Sequence, residues 1–339
     1  MSVTIDDIAR ISGVGRTTVF RALKGKDRIS PETRAKIQKI AEELNYRPNP
    51  MATGLASGTT NFVGILATPS IIPVFQAVLE PIDRLLRESG YSILLQTSSG
   101  RSEDERLSLE QLMHQRVAGL IVHPSSTHAS PEIYQELVDS GVKLVIIDRY
   151  IEGVQASQIV GDDYNAAYLA TQYLISLGHR DIVHMAIPMT SYAGRERDRG
   201  FRNAMAEAGI PATVSSIVET RMGSEHGEQV MAKILKRKKV PTAILARQDV
   251  VAIGAMRAIY SAGLTIPDDI SIVGNGDFWC DDMLRVSLTT VQHPVEQMAN
   301  LAAHHLLDML SGKTIEPTTK VLDVQLIVRG SCAAPRANK

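Results

Sequence analysis

The chain has 339 residues, 44% of them hydrophobic but only 4% aromatic, enough apolar mass for two or three compact units and too few rings for a protein that stacks many bases or sugars. Its net charge of −1 hides an asymmetry, because residues 1–60 hold ten of the 36 Lys/Arg but only six of the 37 Asp/Glu: a basic head precedes an acidic body, and one end is suited to a polyanion. Cys280 and Cys332 match no ligand or redox spacing, Met1–Ala9 is polar rather than signal-like, and runs such as Leu144–Ile147 fall far short of the ~20 residues of a membrane helix, so a reduced, cytoplasmic protein without a membrane partner is expected.

The head reads as three helices. Thr4 followed by Asp7 is a capping-box start, Ile5, Ile8 and Ala9 recur at helical spacing, and Gly13 ends the run. A second stretch places Val19 and Leu23 four residues apart and stops at Lys24-Gly25. Ser30-Pro31 is a cap followed by proline at the first helical position, and Ala35, Ile37, Ile40, Ala41 and Leu44 are assigned to the core. Two short helices joined by a glycine turn, then a supporting helix, outline a helix-turn-helix unit. The second helix keeps Arg16, Thr17, Thr18 and Arg21 away from its apolar side. In a major groove arginine forks onto guanine, and threonine meets phosphate or a thymine methyl.

The order Thr4-Ile5-Asp6-Asp7-Ile8-Ala9, Gly13-Val14, Thr18-Val19, Arg21-Ala22-Leu23, Ile29-Ser30-Pro31-Glu32-Thr33-Arg34 and Leu44-Asn45-Tyr46-Arg47-Pro48-Asn49 resembles the DNA-binding head of the lactose-repressor/galactose-repressor family. The resemblance implies that Arg16 and Thr17 read bases with Arg21 and Arg28 assisting, and that Thr4, Thr18 and Thr33 hold phosphates. Gly15 and Phe20 stand where the family usually has serine, which puts the operator sequence, not DNA binding, in question. Asn49–Thr60 has the composition of a linker. In the resembling family this stretch becomes a short helix on DNA whose leucine wedges into the minor groove, and Leu55 matches that leucine. Thr53, Gly54 and Ala56 depart from the family pattern, and Gly54 costs about 1 kcal/mol of helix propensity, so a hinge helix that forms less readily is expected.

From Phe62 onward β-branched runs (Val63–Ala67, Tyr91–Gln96, Gly119–His123, Lys143–Ile147, Ile159–Gly161, Asp181–Ala186, Ser216–Glu219, Thr242–Ala246, Ser271–Val273) alternate with helical stretches (Glu103–Gln115, Tyr164–Leu177, Arg199–Ala208, Glu225–Leu235, Val250–Ala262). The alternation predicts parallel sheets flanked by helices, too many strands for one small sheet and therefore two lobes, with ligand beyond the carboxyl ends of the strands. The family resemblance continues through Ile147-Asp148-Arg149, Gly178-His179-Arg180, Gly263 to Ser271 and Val328-Arg329-Gly330-Ser331, and implies a periplasmic-binding-protein-like α/β body. The expected division is a helix-turn-helix domain at 1–48, a hinge at 49–61, an effector-binding and dimerisation domain at 62–331, and a tail at 332–339. Within that body, one lobe comprises about 62–161 with 294–322 and the other about 162–290.

The resemblance also implies a ligand shell of Thr68, Phe75, Arg149, Asp163, Arg197, Met222, Gln248 and Asp277, with Arg197 forking onto ligand oxygens unless it pairs on the surface with Asp198 or Glu196. Gln248 replaces the usual asparagine, and Gly276 an aspartate that grips a sugar hydroxyl. Trp279, the only tryptophan, either caps a ring or anchors a loop. With Arg149, Arg197 and Arg247 as candidate cations and one carboxylate missing, an anionic effector such as a sugar acid fits. Ser311-Gly312-Lys313-Thr314 follows a helix and has Leu307 where a phosphate loop needs glycine, so it reads as a turn. His123 with His128, and His304-His305, lack a third zinc ligand, and Lys236–Lys239 reads as a solvated helix end. No nucleophile motif is present. The expectation is a DNA-binding regulator without cofactor or metal, not an enzyme. It is expected to repress a carbohydrate or sugar-acid operon as a homodimer, or a tetramer, on a palindromic operator. A transporter's solute-binding protein and a sensor of nucleosides or other non-sugar metabolites are the alternatives.

Overall fold

A computed structural model describes residues 3–23, 29–46, 60–68, 75–124, 130–213 and 216–336, apart from the Phe75 side chain. It divides into two units, Met1–Thr60 and Asn61–Lys339. Arg28 and Leu55, and with Leu55 all of the hinge before residue 60, lie outside the described residues.

In the first unit α1 (Ile5–Ser12), α2 (Arg16–Leu23) and α3 (Pro31–Glu43) form where their local signals place them. Thr4 and Asp7 close a full capping box on α1, and Gly13 ends the helix at φ 72°, a conformation that costs glycine least. Ser30 accepts from the Thr33 N–H and Pro31 opens α3. Ile8, Val19, Ala22 and Ile37 are fully buried, and Ala41 nearly so. Ala35, assigned to this core, is exposed instead. It lies two residues before Ile37, about 200° round the helix, and so faces away from the other helices.

The second unit contains two six-stranded sheets. The first lobe holds β1 (Phe62–Ala67), β2 (Ser92–Thr97), β3 (Gly119–Val122), β4 (Leu144–Asp148), β5 (Ser157–Gly161) and β11 (Thr319–Leu322), flanked by α4 (Phe75–Glu88), α5 (Ser102–His114), α6 (Pro131–Asp139) and α11 (Val295–Leu310). The second holds β6 (Ile182–Ala186), β7 (Ile217–Glu219), β8 (Ala243–Ala246), β9 (Ser271–Asn275), β10 (Thr289–Gln292) and β12 (Gln325–Ile327), with α7 (Asp163–Ser176), α8 (Tyr192–Glu207), α9 (Ser224–Ile234) and α10 (Asp249–Ser261). The strand orders are β11-β5-β4-β3-β1-β2 and β12-β10-β9-β8-β6-β7. Helices on both faces bury the central strands, while the edge strands β2, β7, β11 and β12 stay partly exposed, and this is why Leu144–Ile147 of β4 reads as an unbroken apolar run rather than an alternation. In β1, Val63 and Ile65 pack on α4 and α11 with Ile82, Ala299 and Leu306, while Leu66 packs on the other face with Leu109, Leu112 and Leu120.

Three features of this unit differ from the sequence reading. β10 and β11 lie outside the nine runs read as strands. β12 runs antiparallel to β10, so the second sheet is not wholly parallel and takes a strand from beyond residue 322. Residues just past 331 are also part of the second lobe: Ser331 Oγ donates to the Ile272 carbonyl and accepts from the Thr289 N–H, and His179 and Ser271 bond the Ala333 carbonyl. A three-residue strand has too short a pattern to announce itself. Only its pairing reveals it.

The chain passes between lobes three times, after β5, after β10 and after β11. At the first two crossings the chain packs tightly, the Gly161 backbone against the His293 side chain. A side chain added at Gly161 would place its Cβ 2.4 Å from the ring of His293, so only glycine fits there.

Candidate functional site

The carboxyl ends of both sheets open onto one cavity of about 290 Å³, near the lower end of the range for small-molecule sites. The first lobe contributes His123, Asp148, Arg149, Tyr150 and Glu152; the second contributes Asp163, Tyr192, Arg195, Arg197, Met222, Arg247, Gln248, Asn275 and Phe278, and His293 comes from a crossing. The lobes meet at its rim. Tyr150 lies 4.6 Å from Tyr192, ring centre to ring centre, and Glu152 lies 3.1 Å from Arg195.

The wall is held by its own polar groups. Arg197 Nε donates to Asp163 Oδ1 at 2.6 Å and its Nη1 to the Arg247 carbonyl at 2.8 Å. Both side chains of the ion pair are about nine-tenths buried. Asp198 and Glu196, the surface partners considered for Arg197, are taken by Arg202 and Arg199. On the opposite wall Thr68 Oγ1 donates to His123 Nδ1 at 2.6 Å, and His123 Nε2 donates to Asp148 Oδ2 at 2.9 Å. Burial lowers the His123 pKa, so the ring is neutral. Burial alone would raise Asp148, but the hydrogen bond from His123 and the nearby charge of Arg149 hold it below the usual carboxylate range. Asp148 adopts φ 68° at the end of β4, a strained backbone of the kind that gathers at binding sites. Arg149 Nη1 donates to the Pro124 carbonyl at 2.6 Å.

Of the expected ligand shell, Arg149, Asp163, Arg197, Met222 and Gln248 line the cavity. Thr68 does not; it stands behind His123 and orients its ring. Asp277 also lies outside the lining, because Arg329 holds its carboxylate at 2.6 Å and Gln292 donates to it at 2.7 Å. The Phe75 side chain is outside the described residues. Gly276 cannot carry the family's aspartate here. Its φ is 141°, and a Cβ would come within 2.6 Å of the Phe278 ring. Trp279 is 73% exposed, neither capping a ring nor anchoring its loop. Arg247, expected only as a candidate cation, also lines the cavity; His123, Asn275 and His293 were absent from the expected shell, yet each follows or ends a strand at the carboxyl edge. Among the described residues no three His, Cys, Asp or Glu side chains converge as a metal site, and no helix is long and apolar enough to cross a membrane.

In the head, Arg16, Thr17 and Arg21 are exposed and Thr18 is half-buried on α2. Arg16 lies 3.4 Å from Asp6 in a solvent-exposed pair that holds it weakly. Two of the expected phosphate donors are engaged in caps: the Thr4 hydroxyl donates to Asp7 at 2.8 Å, and Thr33 Oγ1 accepts from Ser30 at 2.8 Å.

A helix-turn-helix head joined to a two-sheet body with an enclosed polar cavity defines a DNA-binding regulator. Comparison with known proteins agrees. The family described as "Bacterial regulatory proteins, lacI family" matches residues 4–49, and a "Periplasmic binding protein-like domain" matches 171–332. The chain is 30% identical over 330 residues to the HTH-type transcriptional repressor PurR of Vibrio parahaemolyticus, covering 97% of this chain and 98% of that one. It is 31% identical to the ribose operon repressor of Haemophilus influenzae, at 97% and 98% coverage. The crystal structure of the Lac repressor dimer bound to operator and the anti-inducer ONPF superposes with a TM-score of 0.85 at 26% identity, covering 98% of this chain and 100% of that one. The chain belongs to the lacI family of bacterial regulatory proteins and is a DNA-binding transcriptional repressor.

Proposed function

We propose that this protein acts in the cytoplasm as a homodimer that represses a carbohydrate or sugar-acid catabolic operon. Its grip on a palindromic operator changes when a small polyhydroxylated ligand, a sugar or a sugar acid, fills the cavity. The domain division is the one given above, with residues 325–336 added to the second lobe. Arg16 and Thr17 read bases with Arg21 and Arg28 assisting, Thr4, Thr18 and Thr33 sit at phosphates, and Leu55 wedges into the minor groove. Arg149, Asp163, Arg197, Met222 and Gln248 hold the ligand.

The observation that carries the ligand-gated part is the shared wall: one cavity takes polar side chains from both lobes and is closed at its rim by Tyr150 on Tyr192 and Glu152 on Arg195. A ligand enclosed in this way binds the closed arrangement better than an open one, so it shifts the population between them. Two-fold symmetry of a homodimer matches two operator half-sites. Ligand and operator then change each other's affinity by the same factor.

The test is fluorescence anisotropy of the full chain on DNA from upstream of its own gene, with and without a panel of sugars and sugar acids. Salt-sensitive, sequence-specific binding is expected, with at least one ligand shifting the operator Kd by roughly 5–150-fold. Absence of specific DNA binding, or of a shift with every ligand in the panel, would refute the proposal.

A further inference from the structure

Among the described residues, every arginine lining the cavity except one lies against a carboxylate. Arg197 is bound to Asp163, Arg195 to Glu152, and Arg149 lies 4.0 Å from Asp148. Arg247 lies at the turn from β8 into α10 and is 5% exposed. Its Nη1 donates to the Thr220 carbonyl, Nε is buried without a partner, and among the described residues no Asp or Glu pairs with it. Burial first, and then the charges of Arg197 and Arg149, push its guanidinium down to about 9, so it is still charged at neutral pH but held at a cost. A buried cation is normally paired, because transfer from water is otherwise heavily penalised. Beside it Gln248 lines the cavity with its Oε1 buried and without a partner, an acceptor for a hydroxyl.

We infer that Arg247 is the receptor for the charged end of the effector and that the effector is a monoanionic polyhydroxy carboxylic acid, with Gln248 accepting from a hydroxyl beside the carboxylate. This rests on the proposed ligand-gated reading and selects the sugar acid over the neutral sugar. Charge also chooses between anions. A carboxylate brings one negative charge to the Arg247 guanidinium, whereas a phosphate ester carries roughly −1.5 to −2 at neutral pH and would bring more negative charge toward Asp163 and Asp148. Arginine's planar fork suits the two oxygens of a carboxylate.

The experiment is calorimetric titration of the full chain with three matched sets of probes: D-gluconate and D-galacturonate, their neutral parents D-glucose and D-galactose, and D-glucose 6-phosphate. A carboxylate is expected to bind at least 10-fold more tightly than its neutral parent and than the phosphate ester. Arg247→Met, which keeps most of the side-chain volume, removes that preference, and Arg247→Lys retains part of it. Ligand-free melting provides a second readout. Losing an unpaired buried charge should leave the melting temperature of Arg247→Met unchanged or higher, while a purely structural role predicts a fall. Equal binding of acid and neutral sugar, preference for the phosphate, or an Arg247→Met protein that melts lower yet binds gluconate like the parent each overturns the inference. A neutral sugar that binds as tightly as its acid and shifts operator affinity refutes the arginine assignment while leaving the ligand-gated repressor intact. If no probe binds or shifts operator affinity, both fail.

Discussion

In the head, Arg16, Thr17 and Arg21 stand in solvent on a helix whose opposite face, Val19 and Ala22, is fully buried. In the cavity, Arg197 and Asp163 are about nine-tenths buried and bind each other, Asp148 binds the neutral ring of His123, and Arg247 is buried with no carboxylate paired to it among the described residues. The head thus separates the side chains proposed to meet DNA from those that make the fold. In the cavity the side chains proposed to hold the ligand also hold the wall together. A surface that meets DNA can lose a contact residue and keep its structure, whereas a cavity wall cannot lose one half of a buried pair without leaving the other half uncompensated.

Three substitutions sharpen this contrast. The largest effect belongs to Asp163→Asn, which leaves Arg197 buried without its carboxylate. The body should lose about 3–5 kcal/mol and melt clearly lower in calorimetry, with ligand binding lost as well. An unchanged melting temperature would show that the pair is dispensable to the fold. Arg16→Ala comes next. Operator affinity should fall by about 10–100-fold, the worth of one good base contact, while the melting curve is superimposable on the parent's. If the head unfolds instead, the division between contact and core side chains is wrong.

The smallest effect is a pH dependence that only the body should show. Asp249 and Asp281 are both fully buried, and each accepts from the Phe278 N–H, at 3.3 and 2.8 Å. Burial, and for Asp249 the charge of its neighbour, pushes both carboxyls up, Asp281 to about 6 from an ordinary 3.8. The folded state therefore holds a proton more tightly than the unfolded chain does. Its contribution is complete below about pH 4 and is lost as pH rises through 6. The buried, lowered-pKa histidines His123, His179, His184 and His293 contribute in the opposite sense, so the readout is a difference: relative to the parent, Asp281→Asn, neutral throughout, should gain a few degrees in body melting temperature at pH 7.5 compared with pH 4.5. Among the described residues the head buries no carboxyl and should not respond.

Legibility differed between the regions for a physical reason. Helix caps, the Gly13 stop and Pro31 act within one turn, so the head's helices could be read from adjacent residues. The strands of the body were readable as apolar runs because both sheet faces are covered. The cavity was readable only in part. Arg149, Asp163, Arg197, Met222 and Gln248 line it, but His123 was considered only as a metal ligand and set aside, although its position just past β3 marks it as a cavity residue. Asp277 looked equally suitable, and only the distant Arg329, 52 residues later, decides that its carboxylate is held outside the lining. Trp279 and Ala35 failed for the simpler reason that residue type does not determine facing.

The sequence by itself determined the basic head, its three capped helices, the two-lobed α/β body and the regulator class, all carried by patterns local in the chain. Tertiary structure decided that β12 crosses to the second sheet, that Phe278 fills the space where an aspartate would stand at 276, and that, among the described residues, Arg247 alone of the cavity arginines has no carboxylate paired to it. Those outcomes depend on which distant side chains meet, and packing and charge balance between residues dozens of positions apart leave no periodicity in the chain to be read.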